Sequence, residues 1–176
     1  MAIDAFLAFT TDSGKPPLEG ETQDQQFKSK AAVEVASYSF GIHNTTTIGA
    51  MSSGAGAGKA KFSEFKIEKV VDSVSPNLLH YAGGGLKIPR MELYLRKAGG
   101  TRLVYLQYSF KLAYVTDVEW TGSAGEDGVR ESVTFAFGAL QLTYKLSDAT
   151  GATKGTLTGA WDQVKNNNGF DVPGIG

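Results

Sequence analysis

The run Gly54-Ala55-Gly56-Ala57-Gly58-Lys59-Ala60 has the glycine and lysine composition of a phosphate cradle, in which backbone amides ahead of a lysine surround phosphate oxygens. The match fails at two positions. Ser53 stands where the first glycine is required, and Ala60 stands where a hydroxyl would hold the metal ion. A contact loop that lets backbones approach closely is the better reading. His43 and His80 are the two histidines, and neither has a carboxylate partner at ligand spacing. With no cysteine in the chain, sulfur-based zinc sites, thiolate nucleophiles and disulfides are excluded together. No Gly-x-Ser-x-Gly elbow occurs, so no activated serine is indicated. Gly125-Glu126-Asp127-Gly128 lacks the alternating oxygen ligands of a calcium loop and reads as a charged turn. Asn44-Thr45-Thr46 matches a glycosylation acceptor only if the chain enters a secretory route. No catalytic residue, metal site or cofactor is expected, and the chemistry left is that of surfaces.

Those surfaces are carried by strands. Apolar residues recur at every second position through most ordered stretches, with glycine-rich breaks between them, which predicts a mainly β fold. In Met91-Glu92-Leu93-Tyr94-Leu95-Arg96, the residues Met91, Leu93 and Leu95 share the core face while Glu92 and Arg96 point away. Ala98-Gly99-Gly100 supplies a hairpin turn into a second long strand over residues 103–118, Gly99 and Gly100 providing the backbone freedom. Between residues 130 and 146 the apolar parity changes from Val133, Phe135 and Phe137 to Leu140, Leu142 and Tyr144, so a bulge or bend is predicted at Gly138. One short helix is signalled by Ser75 as N-cap, Pro76 at its first position and Gly83 as its stop. Leu78, Leu79 and Ala82 of that helix would cover the open end of a barrel. Residues 10–22 and 44–58 read as loops, and the tail 166–176 as a segment that frays.

The chain has 176 residues, which fits one domain, and its 17 Lys and Arg against 18 Asp and Glu leave no basic stripe for nucleic acid. No segment approaches the ~20 apolar residues that span a bilayer, so stable membrane insertion is not expected. The N-terminus Met1-Ala2-Ile3-Asp4 shows no basic region followed by an apolar stretch, so a cytoplasmic chain without a signal peptide is expected.

Several separated blocks resemble the haemolysin-coregulated protein family, Hcp, in order along the chain. Gly20-Glu21-Thr22 resembles its Gly-Glu-Ser element, and residues 33–41, with Tyr38 and Phe40 in place of the commoner tryptophans, resemble its aromatic-Ser-aromatic-Gly strand. Gly56-Ala57-Gly58-Lys59 is similar to the close of the family's glycine loop, and Asp72-Ser73-Val74-Ser75-Pro76-Asn77-Leu78 to its helix entry. Arg96-Lys97-Ala98-Gly99-Gly100, Gly125-Glu126-Asp127 followed by residues 131–137, and Trp161 in the last strand complete the series.

The resemblance implies a compact β-barrel of two sheets with one short capping helix over residues 1–165, assembling into a hexameric ring. It further implies that rings stack into the inner tube of a bacterial type VI secretion system. Sheath contraction expels that tube, which carries or chaperones effectors in its lumen. The implied partners are other copies of the chain, the contractile sheath, baseplate and spike proteins, and effector cargo, and the chain is secreted on firing. Two alternatives stand beside this: a tube subunit of a related phage-tail-like contractile injection particle, and a monomeric β-barrel ligand binder or enzyme. Lumen-facing positions must stay wet, which makes Ser37 and Ser39 the expected cargo-facing residues, read here as sharing a face with Val33 and Val35. Ser52, Ser53, Gly54, Gly56, Gly58 and Lys59 are the expected ring-contact loop.

Overall fold

The structure is a computed structural model describing residues 3–11, 15–45, 59–98, 102–125, 128–147 and 152–172. Ten strands and one α-helix follow in order: β1 (Ile3–Thr10), β2 (Val33–Val35), β3 (Ser37–Ser39), β4 (Ile42–Asn44), β5 (Ala60–Phe62), β6 (Phe65–Val70), α1 (Ser75–Gly84), β7 (Lys87–Lys97), β8 (Val104–Thr121), β9 (Arg130–Ser147) and β10 (Thr153–Asp162). They form an eight-stranded antiparallel sheet, ordered β2-β1-β7-β8-β9-β6-β3 with β10 also on β9, and a separate β4–β5 ribbon. β2 and β3 belong to one segment. Its first half pairs with β1 and its second half with β6, which brings the two ends of the sheet together into a barrel.

The face of this segment changes at Ala36. Val33 and Val35 are buried, whereas Ser37 and Ser39 are exposed and Tyr38 and Phe40 pack against the core. The expected common face of the serines with Val33 and Val35 is therefore corrected. Ala36 lies at the handover between partners, donating its N–H to the Glu68 carbonyl at 2.8 Å, and the side-chain alternation restarts after it.

Inside the barrel, Phe65 stacks on Phe110 with centroids 4.4 Å apart, and Leu7, Phe9, Met91, Leu93, Val133 and Phe135 fill the surrounding layers. A smaller cluster on the other face of β1 and β7 contains Phe6, Ala8, Phe27 and Tyr94. β7 is thus covered on both sides, and Glu92 and Arg96, read as facing away from the core, are also buried.

Helix α1 begins one residue earlier than predicted and ends later: Val74 occupies the N-cap in place of Ser75, Ser75 lies in the first turn, and Gly85 is the left-handed C-cap at φ 59° in place of Gly83. Ser75 is diverted from capping because its Oγ serves a buried charge cluster described below. Leu78 and Val74 are fully buried and Ala82 packs against the core, but Leu79 is 53% exposed and takes no part in closing the barrel.

The β7–β8 hairpin forms, with Gly99 and Gly100 of its turn outside the described residues. At Gly138 the β8–β9 register does not shift: Lys111 pairs with Ala139 and Ala113 with Phe137. The irregularity is carried by the partner strand, where Leu112 takes a left-handed φ of 53° opposite the glycine. Both strands exchange their core-facing parity there, β8 from Phe110 to Ala113 and β9 from Leu140 to Phe137. The bulge lies further on, between Val115 and Asp117 of β8. The tail also departs from expectation. Asn167 bridges Asp162, Phe170 lies against Lys111, and Val172 is buried, so residues 166–172 pack on the barrel.

A Cβ on Gly138 would sit 3.2 Å from Leu112 Cβ and 3.4 Å from Val164 Cγ2, inside the space of a residue already in a strained conformation. Gly138→Val should destabilise the fold by about 1–3 kcal/mol, as overpacking does, read as a lower urea midpoint. An unchanged midpoint would remove the bend from the list of constraints.

Candidate functional site

Two strand surfaces outside the barrel core carry the features an assembling subunit needs. The first is polar and follows directly from register. Across β3, β6, β9 and β8 one row reads Ser37, Glu68, Ser132 and Glu119, and the next reads Ser39, Lys66, Thr134 and Asp117. Alternation puts these side chains on the outer face because their neighbours Tyr38, Ile67 and Val133 are turned inward. Ser37 Oγ donates to Glu68 Oε2 at 2.9 Å, and both serines are exposed. The exposed hydroxyls of Ser37 and Ser39 and charges of both signs make this a polar surface, although the Ser132 hydroxyl within it is buried and has no partner among the described residues.

The second surface is apolar. β8 and β9 run for 18 residues each, longer than the barrel requires, and β10 adds to β9 beyond the point where β6 leaves it. On one face of this overhang Leu106, Tyr144 and Leu157 line up across three strands, flanked by Tyr108, Leu142 and Leu146. Leu142, Tyr144, Leu146 and Leu157 are 37%, 41%, 42% and 60% exposed. Opposite them lie Gln107, Thr143 and Thr158, so the sheet is two-faced here, with its apolar side bare. The outer edge of β10 pairs with no other strand among the described residues, which leaves backbone donors and acceptors available for strand addition.

Two buried charge clusters fix the loops around these surfaces. Lys69 Nζ contacts Asp72 at 2.8 Å, Glu131 at 2.9 Å and Ser75 Oγ at 3.2 Å, with Lys69 and Glu131 sealed from solvent. The second Glu131 oxygen accepts from the Trp120 indole at 2.8 Å. This cluster ties α1 to β6, β8 and β9. Arg96 bridges Asp4 and Asp24, both at 2.8 Å, and lies over the rings of Phe6 and Phe27. It holds residues 22–27 against β1 and β7. Its hydrogen bonds keep the Asp24 carboxyl below its ordinary pKa and raise that of the guanidinium itself.

Of the residues singled out in the sequence, Ser37 and Ser39 come together on the polar face. Ser52, Ser53, Gly54, Gly56 and Gly58 lie outside the described residues, and Lys59 is exposed beside the ribbon. Ser75 and Pro76 start α1, and Trp161 lies half-buried on β10 opposite Leu140 with its indole nitrogen unpartnered among the described residues. His43 and His80 are exposed and far apart in the fold's order, and no three His, Asp or Glu side chains gather for a metal among the described residues. Strand length, more positions than a small barrel can bury, marks residues 103–118 as sheet able to extend across subunit joins, whereas the apolar residues of β9 and β10 beside them read as core.

Comparison with known proteins follows the same lines. Residues 6–144 match the family model described as type VI secretion system effector, Hcp. A curated relative, Protein hcp1 of Pseudomonas aeruginosa, is 36% identical over 98 residues, which cover 55% of this chain and 60% of that protein's length. The crystal structure of Hcp1 from Salmonella typhimurium superposes with a TM-score of 0.73 at 32% identity, covering 94% of this chain and 98% of the other. The structure of a type six secretion system protein reaches a TM-score of 0.83 at 24% identity, covering 94% and 99%, a likeness of fold.

Because Asp24 is more acidic in the folded chain, the unfolded state binds more protons as pH falls, and this contribution to stability disappears through and below the ordinary value of 3.8. Asp24→Asn should therefore lower stability at neutral pH and flatten the acid limb of a stability-versus-pH curve measured by urea unfolding. An acid limb as steep as that of the parent chain would show that other carboxylates carry it.

Proposed function

The chain belongs to the Hcp family of type VI secretion system proteins, and from that premise we propose that it is a tube subunit: six copies close into a ring, and rings stack into the tube propelled by a contractile sheath. The observation that carries this reading is the apolar overhang of β8, β9 and β10 with its open edge. Fully burying an exposed leucine side chain is worth about 1.5–3 kcal/mol, and four apolar side chains here are 37% to 60% exposed, so covering what remains open on them favours association over solitary existence. A head-to-tail contact, in which this overhang meets a different patch on the next copy, closes into a ring when the rotation divides a full turn. Strand addition along β10 would satisfy its edge at the same time.

The polar rows through Ser37 and Ser39 fit a lumen wall, since a wall that must be wet when empty and release its cargo needs short hydroxyls in place of apolar grip. In this reading effectors ride inside the ring against that wall, and baseplate and spike proteins meet the tube at its end. The loop between β4 and β5, with Ser52, Ser53, Gly54, Gly56, Gly58 and Lys59, serves contacts between rings. The protein's role is structural, acting through surfaces, and it leaves the cell with the tube.

The double variant Tyr144→Asp and Leu157→Asp should leave circular dichroism and thermal melting close to those of the parent while light scattering drops from ring mass to monomer mass. A parent chain that is monomeric at every concentration, or that turns over or saturably binds a small ligand as a monomer, would overturn the tube reading. Within rings, Ser39→Gln should reduce effector co-purification several-fold without changing ring mass; equal co-purification would remove this strand from the lumen wall.

A further inference from the structure

Beyond β10 the chain reverses direction and runs as a strap over the outside of the barrel. Asp162 fixes the hinge: its backbone exchanges two hydrogen bonds with Asn167, at 2.9 and 3.2 Å, and its Oδ1 accepts the N–H groups of Val164 and Lys165 at 2.8 and 2.9 Å. Asn166 takes the left-handed φ of 53° within that reversal. Residues 168–172 are held differently. They make no backbone-to-backbone hydrogen bond with any described residue and rest on the barrel through side chains. The ring centre of Phe170 is 4.8 Å from Lys111 Nζ and 5.9 Å from the Arg90 guanidinium carbon, Val172 is buried, and Asp171, 93% exposed, lies 3.6 Å from Lys165.

The ground that this strap crosses is one row of the sheet. Thr10, Arg90, Lys111, Ala139 and Asp162 stand side by side on β1, β7, β8, β9 and β10, on the face turned away from the buried Phe9, Met91 and Phe110. Like charges on neighbouring strands repel, so Arg90 and Lys111 call for compensation. Among the described residues the carboxylate in contact with the pair is Glu92, 2.6 Å from Arg90, and it also accepts from the Tyr94 hydroxyl. Three side-chain atoms buried without a partner among the described residues fall in this same row: Thr10 Oγ1, Arg90 Nε and Asp162 Oδ2. A buried polar group left unpaired costs free energy. Phe170 thus answers the charge of Arg90 and Lys111 with a ring, and leaves the Arg90 Nε–H and the neighbouring Thr10 hydroxyl without an acceptor.

We propose that the outer face of β7 and β8 at Arg90 and Lys111 is a docking site for an acidic peptide segment bearing an aromatic residue, supplied by a different protein, and that the tip around Phe170 is the resident occupant which such a segment displaces. The tail shows what the site accepts: a ring against the cation pair, a carboxylate beside Lys165 and an aliphatic side chain in the place of Val172. A second copy's tail would bring the same groups and leave the same two donors unpaired, so exchange between copies gains nothing. A segment with a further carboxylate gains bonds that the tail does not make, and charge-assisted bonds to arginine are among the stronger ones. The hinge at Asp162 stays formed when the tip leaves, so release costs side-chain contacts only. Tethering gives the tip an effective concentration of roughly millimolar, which keeps weak binders out and yields to a stronger one. The site lies on one subunit and does not depend on the ring.

Fluorescence anisotropy with two labelled peptides tests the site: one has the tail's own sequence, Asn-Asn-Asn-Gly-Phe-Asp-Val, and the other extends it by two glutamates. Against the full chain carrying Phe170→Ala, which vacates the seat, the extended peptide should bind saturably and several-fold more tightly than the unextended one. The parent chain should bind it about tenfold more weakly, the reduction expected when a competing tail leaves a site open about a tenth of the time. Adding Lys111→Gln to Phe170→Ala should weaken binding several-fold, in a chain whose thermal melting matches that of Phe170→Ala alone. Phe170→Leu keeps the bulk and removes only the ring on which the cations rest, so it reads the same competition should the alanine variant fail to fold. Absence of saturable binding to the folded variants, equal affinity of parent and variants, or binding indifferent to Lys111→Gln would overturn the proposal. So would equal affinity for the two peptides, which assigns the seat to exchange of tails between copies.

Discussion

The backbone of residues 33–39 must satisfy two neighbours that are not each other's neighbours. Val33–Val35 complete the outer side of β1, and Ser37–Ser39 complete the outer side of β6. Without that handover the sheet would stay open, with two long edges facing water, and unpaired edges recruit other chains without discrimination. Closing it confines strand addition to β10, the one long strand left with a free side among the described residues. The change of face at Ala36 is the cost of serving both partners. It is also what turns Ser37 and Ser39 outward while Tyr38 and Phe40 replace Val33 and Val35 as core contacts.

The two buried charge clusters do different work. Lys69 and Glu131 are shut away from solvent, and the attraction of such a pair is largely consumed by the loss of hydration. Its contribution is direction: Glu131 fixes both Ser75 and the indole of Trp120, so the start of α1 and the far part of β8 have one arrangement. Arg96 sits nearer the surface, with Asp4 at 38% side-chain exposure, and pins an irregular segment that has no ladder of its own. Residues 20–27 also rely on close backbone contact. A Cβ on Gly20 would lie 2.4 Å from the Ala32 carbonyl oxygen, a separation that only glycine permits.

Alternation and turn residues made the β architecture, the β7–β8 hairpin and the existence of α1 legible from the chain. Parity located the disturbance at Gly138 but not its form, because a left-handed Leu112 on the partner strand has no mark in local sequence. Ser75 was misread as a cap because its hydroxyl is claimed by Lys69 and Glu131, the latter 56 residues away. The packing of the tail was hidden for a similar reason: Asn166-Asn167-Asn168-Gly169 has the composition of a frayed end, and the ring of Phe170 finds Arg90 and Lys111 only once the barrel exists. Of the candidate site, the polar strand could be named from two serines. The apolar overhang could not, since Leu142, Tyr144 and Leu157 look like core until a closed barrel leaves them outside.

The proposed ring makes a demand of its own on one small domain. Lateral closure must stop at a fixed number of copies, which calls for a large, rigid contact whose angle cannot drift. A three-stranded overhang continuous with the barrel meets that need, since its twist is set by the strands within.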